Sequence, residues 1–167
     1  MEPTLEAIKD LREATGAGVM DCKRALQEAS GAIERAKDIL KANGMKIAAK
    51  KSDREANEGV LHAYIHSGAR VAALVELNCE TDFVARTDDF KELAHNIAMQ
   101  VAAMSPQFVD KDDIPAGENA DPSQVTLMDQ AYIRDPSKTV RDMVNEVIGK
   151  IGENIKVRRF VRFALGE

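Results

Sequence analysis

The first 45 residues carry apolar positions in three blocks, each at the spacing of a helix. In the first block the apolar residues from Leu5 to Leu11 recur every three residues, and Thr4 before them is of a type that caps helix N-termini. Glycine-containing loops separate the blocks, and the third ends at Asn43–Gly44, a usual C-terminal signal. The pattern predicts a three-helix N-terminal domain over residues 1–45.

The pattern then changes from helical spacing to alternation. Residues 46–58 are rich in charge and show no sustained apolar period, so we predict that they link two domains. Beyond them, residues 60–66 and the apolar run 71–77 indicate two strands, joined by a short turn that contains Gly68. An antiparallel hairpin is therefore predicted to open a second domain over residues 59–167.

Helical spacing returns after the hairpin, and alternation returns at the C-terminus. Apolar residues over 90–102 predict one helix, and another begins at Thr139, where Asp142 completes a capping box. The acidic, proline-bearing interval 105–138 is predicted to be a long loop with one short ordered segment. Alternation over 155–165 predicts a third strand. The fold class is α+β, with three helices followed by a core of three antiparallel strands packed with two long helices.

Composition narrows the classes of partner. Lys and Arg number 23 against 28 acidic residues, which gives a net charge of -5, so we expect no direct nucleic-acid ligand. Two cysteines are too few for a secreted disulfide scaffold, and no apolar run approaches the length of a membrane span. We therefore expect a cytoplasmic protein, or one of an organelle interior, without membrane contact.

The residue types that carry catalysis or metals do not form a recognisable set. His62 and His66 share one face of the first strand, but four strand residues separate their Cα atoms by about 13 Å, too far to share one ion. Cys79 has no accompanying base in the sequence, and no glycine-rich phosphate loop is found there. We expect no metal, no cofactor, no bound nucleotide and no enzymatic step.

The stretch from Asn78 to Arg86 follows the second strand and precedes a helix. Thr81 and Asp82 can accept hydrogen bonds from the free N–H groups of a first helical turn. Two interpretations of Phe83 remain open. It is either a core side chain beneath a capped helix, or an aromatic at the rim of the sheet that inserts into a partner.

Three strings resemble the elongation factor Ts family, which exchanges guanine nucleotide on elongation factor Tu. They are NCETDFVAR from Asn78, TGAGVMDCKRAL from Thr15 and KIGENIKVRRF from Lys150, spread over most of the chain. The resemblance implies that the chain binds elongation factor Tu, in its GDP-bound and nucleotide-free forms, and promotes GDP release in translation elongation. It also implies that the N-terminal helices are similar to ubiquitin-associated domains.

The resemblance assigns partner contacts to ten positions. In the family, one segment enters the GTP-binding domain of elongation factor Tu, and its Phe disturbs Mg²⁺ coordination; the matching residues are Thr81, Asp82, Phe83 and Val84. An Ile-Gly pair beside the segment contacts the same domain; it matches Ile151 and Gly152. The N-terminal helices contact that domain from a second side; the matching residues are Arg12, Val19, Met20 and Lys23. Because adjacent helix positions lie about 100° apart, we expect one of Val19 and Met20 to pack inward.

The interval 105–138 departs from the family pattern. Many members carry a duplicated core or a helical hairpin between the central and last helices, and here only the predicted loop occupies that interval. A single core leaves the last strand, 155–165, as an edge with apolar groups on both faces, so we expect a homodimer through it. The alternative is that the loop folds back over this edge.

A second class of function stays open on the sequence. In it the chain is a non-catalytic adaptor whose three-helix domain binds a peptide or a ubiquitin-like partner, and the core only dimerises. The strings around residues 81–84 and 150–154 would then have no role. Stimulated release of GDP from elongation factor Tu separates the two classes.

Overall fold

A computed structural model describes residues 2–167 and divides them into two compact units. The first unit contains the residues up to Ser52 together with Asn145–Gly152, and the second contains Asp53–Val144 together with Glu153–Glu167. No helix in this described part of the chain is both long enough and apolar enough to cross a bilayer.

Three helices form most of the first unit: α1 (Leu5–Thr15), α2 (Val19–Glu28) and α3 (Ile33–Lys51). The Thr4 hydroxyl accepts a hydrogen bond from the Ala7 N–H at 3.2 Å, so α1 begins at the predicted cap. The side chains that meet between the helices are small or medium in size, which lets the helices approach closely. They are Ile8, Leu11, Cys22, Ala25, Leu26, Ala29 and Ala36.

The prediction that the third helix ends at Asn43–Gly44 was wrong. The helix continues to Lys51, so residues 46–51 of the predicted linker are helical. Gly44 has a packing role instead, because a Cβ built on it would lie 3.1 Å from the carbonyl oxygen of Asn145. Glycine here permits the backbones of two helices to approach, and it does not end a helix.

The second unit is built on the predicted antiparallel sheet of three strands. The strands are β1 (Glu58–Ile65), β2 (Val71–Cys79) and β5 (Ile155–Ala164), in the order β1-β2-β5. The prediction of three antiparallel strands packed with helices is confirmed, and β2 lies at the centre.

Four helices follow the hairpin: α4 (Asp82–Ala85), α5 (Asp88–Met104), α6 (Pro122–Val125) and α7 (Val140–Ile151). The Thr139–Asp142 capping box forms at the start of α7, where each backbone N–H donates to the other side chain. The buried face of α5 packs on β1 and β2. Its fully buried side chains include Phe90, Leu93, Ile97 and Val101.

A β-bulge in β5 changes which of its residues face α5. Leu77 lies opposite Val157, whereas Glu76 lies opposite Arg159, so one extra residue is inserted between these pairs. Val157 is therefore buried, while Val161, three pairs further on, points to the opposite side of the sheet. Simple alternation would place both on one face, but one inserted residue reverses the direction of every later side chain.

The interval 105–138 is more ordered than the predicted loop. It contains α6, a short 3-10 helix and the hairpin of β3 (Ala131–Tyr132) with β4 (Asp135–Thr139). The Arg141 guanidinium donates to Asp110 at 2.9 and 3.0 Å and to Asp129 at 3.0 Å. These ion pairs tie the interval to α7, and they hold the pKa of the Asp110 carboxyl below its usual value.

Residues 105–138 do not cover the side of β5 that faces away from α5. Leu127 of this interval is fully buried, while Phe163 on β5 is 71% exposed. The alternative in which the loop folds back over the strand was therefore wrong.

Candidate functional site

The stretch Thr81–Val84 forms a single capped turn at the end of β2. Thr81 has an extended backbone, and its hydroxyl accepts a hydrogen bond from the Val84 N–H at 3.3 Å. The Thr87 hydroxyl donates to the Val84 carbonyl at 2.7 Å and caps α5. Two successive caps therefore fix the path of the chain from the strand, through α4, into α5.

Phe83 projects from this turn into solvent. Its side chain is 73% exposed, whereas the following residue, Val84, is 5% exposed and anchors the turn in the core. The interpretation of Phe83 as a core side chain was wrong. Asp82 beside it pairs with Arg86 at 2.6 Å, one turn along, so an exposed aromatic ring and an exposed ion pair lie on the same short helix.

Glu153 holds the start of the turn. Its Oε2 accepts hydrogen bonds from the backbone N–H groups of Glu80 at 3.1 Å and Thr81 at 3.0 Å. Its Oε1 accepts a third from the Thr81 hydroxyl at 2.6 Å. One carboxylate thus satisfies three donors at the junction of β2 and α4.

The reciprocal contact comes from Glu80. Its Oε1 accepts a hydrogen bond from the Asn154 N–H at 2.7 Å, and the Asn154 side chain donates to the Arg54 carbonyl at 2.7 Å. Arg54 in turn lies 3.5 Å from the Glu80 carboxylate. Glu80, Glu153 and Asn154 were not among the predicted site residues. They lie within the family-like strings that begin at Asn78 and Lys150, but local sequence does not mark them, because these hydrogen bonds join residues more than 70 positions apart.

Cys79 is a structural residue under this turn. Its thiol is fully buried and donates to the Thr81 carbonyl at 3.1 Å. Burial, together with the nearby Glu153 carboxylate, raises the pKa of the Cys79 thiol to about 11. The thiolate that a nucleophile requires is therefore disfavoured at neutral pH.

The other predicted contact residues lie in the first unit. Ile151 is the last residue of α7, and Gly152 follows it at a φ of +83°, where its N–H donates to the Ile148 carbonyl at 2.8 Å. The Lys51 ammonium donates to the Gly152 carbonyl. This is a left-handed end to a helix, a conformation that glycine adopts without steric cost.

Arg12, Val19 and Met20 flank the loop between α1 and α2 and are exposed. Met20 is 64% exposed and Val19 is 49% exposed, so the expectation that one of the pair packs inward was wrong. Lys23 is half-buried, and its ammonium lies 3.4 Å from the Glu2 carboxylate. The start of α2 therefore presents two apolar side chains to solvent.

The three histidines do not bring a metal site together in residues 2–167, where no group of three or more ligating side chains is found. The Nε2 atom of His62 lies 3.2 Å from Nδ1 of His95 on α5, and His66 pairs with the Tyr64 hydroxyl at 2.9 Å. Desolvation by burial, with a smaller effect of His95, lowers the pKa of His62.

Comparison with known proteins decides the family. The family model described as "Elongation factor TS" matches residues 22–124. Elongation factor Ts of Thermoanaerobacter sp. (strain X514) is 48% identical over 97% of this chain and 94% of its own length. Elongation factor Ts of Coprothermobacter proteolyticus is 45% identical with both chains covered completely. The chain belongs to the elongation factor Ts family.

Family membership gives the chain a role in translation elongation. The alignment with the Thermoanaerobacter relative spans 192 positions, although this chain has 167 residues. That elongation factor Ts therefore carries residues that this chain lacks. The elongation factor Ts from Thermotoga petrophila is 46% identical over 195 positions and shows the same excess.

Proposed function

We propose that this chain is a guanine-nucleotide exchange factor that binds elongation factor Tu with GDP bound and promotes release of the GDP. Family membership supports the proposal, and one structural observation carries it to particular residues. That observation is the 73% exposed ring of Phe83 on a turn whose caps hold it in place. An aromatic side chain presented on a rigid support loses little conformational freedom when it enters a partner.

The physical basis of such exchange is thermodynamic linkage. A protein that binds the nucleotide-free GTPase more tightly than the GDP-bound form lowers the affinity of the GTPase for GDP by the same factor. Mg²⁺ in a GTPase bridges the phosphates and neutralises their charge. A side chain that acts as a wedge and disturbs the coordination of Mg²⁺ therefore weakens the binding of GDP. In this role Phe83 is the wedge, while Thr81, Asp82 and Val84 set its position. The chain makes and breaks no covalent bond, so it is not an enzyme.

Two further surfaces are proposed to touch the same GTP-binding domain. One is the helix end at Ile151 and Gly152. The other is the start of α2 with the end of α1, where the exposed residues include apolar and basic side chains suited to a protein interface. The contacting residues there are Arg12, Val19, Met20 and Lys23.

We also propose a homodimer formed through the side of the sheet opposite α5. Apolar side chains from all three strands line this side, and they are exposed by more than two fifths of their surface. They are Leu61, Ile65, Leu74, Val161 and Phe163. A second copy would cover this patch, which is unusually apolar for a monomer surface.

We expect this factor to act in the cytoplasm, with elongation factor Tu as its partner and without a cofactor, a nucleic acid or a membrane.

The experiment that tests the function is the release of fluorescent GDP from elongation factor Tu, followed after mixing with excess unlabelled GDP. Release should accelerate in proportion to the concentration of this chain until it saturates. An unchanged spontaneous rate would favour the adaptor function instead.

A further inference from the structure

Glu153 accepts three hydrogen bonds at the start of the Thr81 turn. Of the three hydrogen bonds that its carboxylate accepts, two come from backbone N–H groups that β2 leaves unpaired where it ends. The third comes from the Thr81 hydroxyl, the same atom that caps α4. Hydrogen bonds to an ionised carboxylate are stronger than bonds between neutral groups.

On its exposed side the turn is ordered by polar contacts and not by burial: besides the Glu153 bonds, the Thr81 hydroxyl caps α4 and Asp82 pairs with Arg86. The helix α4 contains four residues, Asp82–Ala85, far below the length at which a helix is stable by itself. Thr81, Asp82 and Phe83 are all exposed, so burial does not fix them. Cys79 before the turn and Val84 and Ala85 at its end are buried in the core, so the exposed residues between them depend on polar contacts.

We infer that Glu153 is a positioning residue for nucleotide exchange, one that holds the Thr81 turn and thereby keeps Phe83 in the orientation that enters the partner. The inference rests on the proposed exchange function and extends it to a residue that touches neither nucleotide nor Mg²⁺. Glu153 also follows Gly152 directly in the chain, so a residue next to one proposed contact surface sets the geometry of the other.

The distinction between positioning and binding makes a kinetic prediction. Without Glu153 the turn samples other conformations, and the partner must select the competent one. Because ordering one backbone residue costs free energy, we expect Glu153→Ala to lower the maximal rate of GDP release about tenfold, equivalent to about 1.4 kcal/mol. The half-saturating concentration should change less than about twofold, because the other contact surfaces are intact.

A conservative variant distinguishes the loss of hydrogen bonds from the loss of side-chain volume. Glu153→Gln keeps an amide oxygen that can accept from the two backbone N–H groups, so it should recover at least about a third of the natural maximal rate. Glu118→Ala, at an exposed glutamate of the same unit, is the matched control and should exchange at the natural rate. If Glu153→Ala is too unstable to assay, Glu153→Asp replaces it, since its shorter side chain withdraws the carboxylate from Thr81.

A second readout needs no partner. The chain contains no tryptophan, so Phe83→Trp creates a single fluorescent reporter on the turn. Adding Glu153→Ala to this variant should lower the fluorescence anisotropy of the tryptophan, while Glu118→Ala should leave it unchanged.

The outcomes are distinguishable. If the natural chain does not accelerate GDP release, the proposed exchange function fails, and the anisotropy still decides whether Glu153 holds the turn. If the natural chain is active and folded Glu153→Ala matches its maximal rate, the positioning role is overturned. An unchanged anisotropy in Glu153→Ala would overturn it as well.

Discussion

At the scale of single residues, the environment of Phe83 separates a role in function from a role in stability. Phe83→Ala should change the free energy of unfolding by less than about 0.5 kcal/mol, because the ring is exposed. GDP release should fall at least tenfold, the effect expected for an aromatic hot spot. Chemical denaturation and the fluorescent-GDP assay measure the two quantities.

Phe90 provides the matched control for that prediction. Its ring lies on the buried face of α5 and is fully buried, so Phe90→Ala should cost about 3 to 5 kcal/mol of stability. Normal exchange by folded Phe83→Ala would remove the wedge role. A stability loss at position 83 comparable to that at position 90 would contradict the exposed placement of the ring.

The His62–His95 pair predicts a pH dependence of stability. Desolvation lowers the pKa of His62 in the folded state, so the unfolded chain takes up a proton first as the pH falls. The free energy of unfolding should therefore be unaffected by this group well above pH 6.5 and should decrease as the pH falls below that value. His62→Gln should reduce the decrease between pH 7.5 and pH 5.

Urea denaturation at the two pH values tests this expectation. The control is His66→Gln, directly after the same strand, where the exposed ring contacts Tyr64 and not a second histidine. An equal pH dependence for the natural chain and His62→Gln would show that protonation of His62 does not contribute.

At the scale of elements, close helix packing makes a prediction with an unexpected sign. A Cβ on Gly149 of α7 would lie 3.1 Å from the Cα atom of Gly44, within the first unit. Intrinsic helix propensity favours valine over glycine, so Gly149→Val should stabilise an isolated helix. In the folded chain we expect destabilisation of about 1 to 3 kcal/mol, because the two backbones must separate.

Thermal or chemical denaturation measures this change. Ala103→Val on the exposed side of α5 is the control, and propensity alone should limit its cost to less than about 1 kcal/mol. A stabilised Gly149→Val variant would show that the contact between α3 and α7 can relax without cost.

The same elements show why sequence patterns predict some features and not others. Thr4, Thr81 and Thr139 begin helices as predicted, because a cap involves residues three or fewer positions apart. The bulge in β5 and the hydrogen bonds of Glu153 were missed, because both depend on a strand or turn that is distant in the sequence. Local periodicity therefore does not reveal them.

The candidate site divides in the same way. The exposure of Phe83 was left open by the sequence, since a capped turn can direct an aromatic inward or outward, and only packing of Val84 and Ala85 in the core fixes the choice. The motif string that contains Ile151 also contained Glu153. Recognition of the string pointed to the helix end and not to the carboxylate that holds the turn.

At the scale of the whole molecule, the exposed side of the sheet predicts self-association. Leu74 at the centre of the sheet and Phe163 on its edge strand expose apolar surface on the side away from α5, and residues 105–138 do not cover them. Stable interfaces bury about 800 Å² per partner, an area that one face of a three-stranded sheet can supply. We therefore expect a dimer with twice the 18.3 kDa mass of one chain.

Sedimentation equilibrium at micromolar concentrations tests the dimer. Val161→Lys places a charge on the apolar side, opposite Leu74 of the central strand, and should shift the equilibrium toward the monomer, because a second copy would have to desolvate that charge. Ala103→Lys on α5 adds the same charge elsewhere and should leave the dimer intact. If the natural chain sediments as a single 18.3 kDa species at all concentrations, this side of the sheet does not form a dimer. If both lysine variants dissociate equally, the effect of the charge is general repulsion, and the interface lies elsewhere.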